Sequence, residues 1–101
     1  MSSLVKVQKA SKQLKLLADK TRLAVVVMLM KKGMYVSQML EALKIDPTLL
    51  SHHLRLIRDS GLAKAQRIGK TVFYQIDKKK IEVKGKTGSV NLGDAKITIS
   101  L

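Results

Sequence analysis

The sequence contains no cysteine. Disulfides, thiol redox sensing and every cysteine-containing metal site are excluded by that absence. Aromatic residues are scarce at 3%, being Tyr35, Phe73 and Tyr74. So few rings make a poor platform for stacking the bases of a single strand. The longest apolar run, Leu23 to Met30 (LAVVVMLM), is far short of the ~20 residues that span a bilayer. The opening residues MSSLVKVQKASK hold no signal-peptide apolar segment, so the expected location is cytoplasmic, with no membrane partner. Neither a glycine-rich phosphate loop nor a nucleophile with its base, nor a useful pair of carboxylates, can be found. No enzymatic activity and no cofactor are expected.

Acidic residues are also few. Seven Asp and Glu stand against twenty Lys and Arg, a formal net charge of +13. On a chain of 101 residues that excess creates a positive field that attracts polyanions, and double-stranded DNA is the partner it fits best. With 46% apolar residues, the chain can form one compact domain and one modest core.

Periodicity divides the first sixty residues into four helices. Over residues 4 to 18, Val7, Ala10, Leu14 and Leu17 recur at helical spacing and form the expected inward stripe. Val5 and Leu16 fall on the opposite face and make the candidate dimer contact. A second helix, with Asp19 as its N-cap, runs from Lys20 through the apolar run to Lys31 and Lys32 and stops at Gly33. Being apolar nearly all round, it reads as the central core helix. A short third helix covers Val36 to Leu43, with Met39 and Leu43 facing inward, and Lys44, Ile45 and Asp46 form a tight connection. Asp46 followed by Pro47, the only proline, starts a fourth helix that ends before Gly61.

Beyond Gly61 the stretches LAKAQR, IGK and TVFYQI spell a β-hairpin with Arg67 and Lys70 at its tip. Residues 77 to 101 alternate apolar and polar at Ile81/Val83, Val90/Leu92 and Ile97/Ile99/Leu101 and read as short strands. The fold class expected is therefore α+β, a winged helix-turn-helix over residues 1–76. Residues 77–101 are expected as a strand-like extension of the same domain. Whether those strands extend the hairpin sheet or pair across a dimer stays open.

In a winged helix-turn-helix the second helix of the pair enters the major groove while the hairpin reaches the backbone or the minor groove. On the fourth helix, Leu50, Leu54 and Ile57 form the inward stripe. Thr48, Ser51, His52 and Arg55 lie outward, with Leu49 at the edge of that face and His53 nearer the core boundary. Short hydroxyls, an imidazole and a guanidinium suit base edges and phosphates. Leu49 fits either a thymine methyl or a packing role beneath the third helix. Adjacent histidines on a helix point about 100° apart, which argues against a shared metal; His53 reads better as a hydrogen-bonded boundary residue and His52 as a DNA contact. The candidate DNA-binding set is Gln38, Thr48, Leu49, Ser51, His52, His53, Arg55, Arg67 and Lys70, with Arg58 and Lys64 as further phosphate contacts.

The stretch from Leu14 to Ile76 resembles the ArsR-type (arsenic-responsive repressor) winged-helix transcription factors. The motifs are LADKTRL, SHHL, RDSGL and GKTVFYQI, in that order. The resemblance implies a homodimeric repressor that reads a palindromic operator with one helix per half-site and leaves it on binding an inducer. The family's cysteine-valine-cysteine metal pattern falls here on Tyr35, Val36 and Ser37, so that site does not carry over. Lys20 stands where proline usually follows the aspartate. Family members usually end in a dimer-forming helix, whereas residues 77 to 101 are strand-like, which moves the expected dimer contact to the first helix.

A metal-independent, sequence-specific repressor is the leading reading. A non-specific architectural DNA binder would share its salt dependence but lack sequence preference. A winged-helix protein-interaction module would need neither.

Overall fold

A computed structural model of the chain describes residues 2–93 and 95–101, and side chains from Leu4 onward except that of residue 94. Helices α1 (Ser2–Leu17), α2 (Lys20–Lys31), α3 (Val36–Leu43) and α4 (Pro47–Asp59) are joined by short connections. Strand β1 (Met34–Tyr35) lies between α2 and α3, and β2 (Ala63–Ile68) and β3 (Thr71–Ile76) form the wing. Strands β4 (Ile81–Lys84), β5 (Thr87–Asn91) and β6 (Lys96–Ser100) complete the chain. The architecture is the expected winged helix-turn-helix.

Helices α2 and α4 start where a side chain satisfies free amides. The Asp19 carboxylate accepts from the Arg22 amide at 3.0 Å, and the Asp46 carboxylate from the Thr48 and Leu49 amides at 2.7 and 3.2 Å. Pro47 at the first turn of α4 loses no hydrogen bond there. At the corner of the helix pair Lys44 adopts a left-handed conformation, φ 52°, and its amide donates to the Leu40 carbonyl at 2.8 Å.

Val25, Val26, Leu29 and Met30 of α2 are buried against Met39 of α3, Leu50, Leu54 and Ile57 of α4, and Tyr74 of β3. Helix α1 meets this core through Ala10 and Leu17, with Leu16 half-buried beside them. Val7 and Leu14, expected inward, are 55% and 45% exposed. The helix is rolled by roughly one residue's turn from the expected phase, so the stripe left outside is Leu4, Val7 and Leu14, and Val5 is exposed on another side of the helix.

Two antiparallel sheets flank the helices, ordered β1-β3-β2 and β4-β5-β6. Two-residue β1 pairs Met34 with Tyr74 and Tyr35 with Phe73. Gly33 lets this happen by its size, because a β-carbon there would strike the Phe73 ring. In the wing, Ile68 pairs with Thr71 around a Gly69–Lys70 turn, and Gly69 takes the φ of +61° that a tight hairpin turn of this kind requires. The final strands do not extend the wing sheet. They pair with one another, and Ile81, Val90 and Leu92 bury their side chains in the same core as the helices. Gly88 of β5 lies against Met30 of α2, where a β-carbon would collide with the thioether sulfur.

Candidate nucleic-acid interface

Helix α4 is fixed at three points. Its first turn is capped by Asp46. Its middle is held by His53, whose Nδ1 lies 3.0 Å from Arg22 Nη1. Its end is held through the Ser60 carbonyl, which accepts from Gln13 Nε2 at 3.2 Å and Lys80 Nζ at 3.3 Å. Those donors come from α1 and from the segment before β4.

The Arg22–His53 contact explains two sequence motifs at once. Arg22 also donates through Nε to the Leu16 carbonyl at 2.7 Å, so one guanidinium joins the end of α1, the start of α2 and the buried side of α4. A guanidinium only donates, so His53 Nδ1 must be the acceptor, which leaves Nε2 to carry the ring proton. Beside them, the Asp19 carboxyl is held below its ordinary pKa of 3.8, chiefly by the hydrogen bond from the Arg22 amide, with the Arg22 charge adding to it.

His53, one of the candidate DNA contacts, is 7% exposed and engaged by Arg22, which matches the hydrogen-bonded boundary role, the better of its two readings, and sets it apart from the exposed candidates. Leu16 packs against the core beside Leu17, so of the expected dimer pair only Val5, 51% exposed, is free to meet a second chain.

The other candidates lie on the surface. Thr48, Ser51, His52 and Arg55 are exposed on the outer side of α4, and Leu49 beside them is 46% exposed, which removes its alternative role beneath α3. The His52 and His53 rings are 5.8 Å apart and inclined at 56°, the first facing out and the second in. Gln38 is exposed on α3; its side-chain oxygen accepts from the Tyr35 amide at 2.9 Å, leaving its NH2 group to donate outward. Arg67 and Lys70 are exposed near the wing turn, and Lys64 is exposed on β2. Arg58 donates to the Tyr74 hydroxyl at 3.3 Å and so is partly committed within the chain. Sequence reasoning missed Arg22, whose only local signal was its place one turn after the Asp19 cap.

Among the described residues no three His, Cys, Asp or Glu side chains converge as metal ligands would, and no helix is long and apolar enough to cross a membrane. Val36 and Ser37, two of the three positions where the family carries its metal pattern, line a groove between α3, α4 and the wing.

The model of the bacterial regulatory proteins of the arsR family matches residues 19–65. A transcriptional repressor SmtB homolog from Synechocystis is 31% identical over 73% of this chain, and this chain spans 56% of that protein's length. The solved structure of HlyU from Vibrio cholerae superposes with a TM-score of 0.67 at 31% identity, over 70% of this chain and 77% of that one. A homodimeric winged helix-turn-helix DNA-binding domain from Mycobacterium bovis, a possible ArsR-family regulator, gives 0.61 at 27% identity, over 74% of this chain and 67% of that one. The family match covers α2, β1, α3, α4 and the start of β2, and the chain belongs to the ArsR family of bacterial regulatory proteins.

Proposed function

We propose that this chain is a sequence-specific regulator that binds double-stranded DNA as a homodimer, represses transcription without a metal, and works in the cytoplasm. The observation that carries the reading is the outer side of α4. Thr48, Ser51, His52 and Arg55 are exposed together there, while the inward stripe Leu50, Leu54 and Ile57 is almost wholly buried. An exposed polar helix face in this setting, beside a wing bearing Arg67 and Lys70, matches major-groove reading with flanking phosphate contacts.

The homodimer is supported by the Leu4, Val7 and Leu14 stripe on α1, three large apolar side chains about half exposed. Residues 77–101 act as an extension of the same domain, since their buried side chains share its core. Metal independence is supported by the lack of thiols.

A gel-shift titration against the DNA upstream of the chain's own gene tests the reading. Specific binding at least ~10³-fold tighter than to scrambled DNA is expected at physiological salt. Equal affinity for the two sequences would exclude a sequence-reading role.

A further inference from the structure

The groove between α3, α4 and the wing encloses about 560 Å³. Its apolar surface includes Val36 and Leu40 of α3 and Val72 of β3, all half-buried. Arg55 and Arg58 of α4 and Lys70 of the wing turn line it too, and no Asp or Glu does. The acid that pairs with the two arginines, Asp59, stands outside the lining at 3.9 and 4.0 Å, the far limit of an ion pair. Three cations therefore surround an apolar surface that the described residues leave partly exposed.

These two properties select one kind of ligand. Apolar surface left in water is stabilised by an apolar body laid over it, and clustered guanidinium and ammonium groups favour an acid group beside it. The volume falls among those of small-molecule sites, about 300–1,000 Å³. Nucleic-acid phosphate answers only the charge, and a neutral or cationic apolar compound answers only the surface.

We infer that the groove binds a small amphipathic organic anion, its chain or ring over Val36, Leu40 and Val72 and its carboxylate or sulfonate at Arg55, Arg58 and Lys70. Ser51, Arg55 and Lys70 line this groove and are also DNA contacts in the function proposed above. On that reading, anion and duplex compete for the same side chains, and the ligand releases DNA.

The test uses the full chain without DNA and the fluorescence of anilinonaphthalene sulfonate. Saturable binding of one probe per chain is expected, displaced by decanoate below its micellar concentration but not by acetate or decyltrimethylammonium. Val36→Phe, which fills the apolar part of the groove, and Arg58→Gln, which removes a cation, should each lower decanoate affinity about tenfold or more. Two variants are used so that a folding defect in one leaves the other to decide. Saturating decanoate should then weaken duplex binding by a similar factor. Equal displacement by the ammonium amphiphile, or unchanged decanoate affinity in both variants, overturns the site. DNA binding without decanoate binding overturns the ligand and leaves the regulator standing. Decanoate binding by a chain that ignores DNA supports the site and removes the regulator.

Discussion

Arg22 Nη1 sits 3.0 Å from His53 Nδ1 across 31 residues of sequence, and His53 is the one buried polar side chain among the described residues. The pair ties the reading helix to the α1–α2 junction. Truncating either residue leaves the other's hydrogen-bonding group unpaired within the protein, at a cost of about 1–3 kcal/mol. Arg22→Ala and His53→Ala should each destabilise by that order in urea unfolding, and the double variant by clearly less than their sum. Strict additivity would show that the contact contributes nothing.

Lys44 offers the opposite sign. A non-glycine residue in the left-handed region is strained, and glycine relieves that strain at the end of a helix. Lys44→Gly should stabilise the chain by up to about 1 kcal/mol, the glycine's greater freedom in the unfolded state offsetting part of the gain. A lower urea midpoint for the variant would contradict this.

Acid should act partly through Asp19. Its folded-state pKa lies below the ordinary value of 3.8, so the folded chain binds this proton more weakly than the unfolded chain. Its contribution is complete above the ordinary aspartate range and is lost as pH falls through that range towards the native value. Asp19→Asn retains a capping oxygen but cannot titrate. Urea midpoints measured from neutral pH into acid should fall less steeply for the variant, and parallel curves would refute the assignment.

DNA contacts should separate into two classes. Alanine at Ser51, His52 or Arg55 should relax sequence preference, with a loss of about 1–3 kcal/mol at the base read. Alanine at Arg67 or Lys70 should weaken binding to all sequences alike and reduce the salt slope by about 1 each. Competition titrations at two salt concentrations distinguish these patterns. His53→Ala, by contrast, should cost stability before it costs specificity.

On α1, Val7→Asp and Leu14→Asp should shift the chain towards monomer in sedimentation while leaving its melting temperature nearly unchanged, because both residues are exposed. Leu16→Asp should instead lower the melting temperature, since Leu16 packs against the core. A dimer untouched by the first two changes would place the subunit contact elsewhere.

Much of this was legible in the sequence because the signals are local. Asp19, Asp46 and Pro47 start α2 and α4 where expected, and Leu50, Leu54 and Ile57 declare the inner side of α4. The phase of α1 was not, because that helix carries apolar residues on two sides and periodicity alone does not say which meets the core. Helical phase placed His53 at the core boundary, but its partner Arg22 lies 31 residues away and leaves no local signal, and β1 is too short to show any alternation. Alternation did reveal the final strands, but the choice of strand partners depends on burial of Ile81, Val90 and Leu92 beside the helices.

Tyr35 pairs with Phe73, and α3 begins at the very next residue, Val36. The ladder thereby splices the front of the helix pair to the middle of the hairpin, with no slack chain between them. Tyr35 and Phe73 reinforce the splice with an edge-on ring contact, centroids 5.0 Å apart. The two parts are consequently joined without an intervening loop, and on the proposed function a duplex whose groove widths do not match their spacing should itself deform on binding.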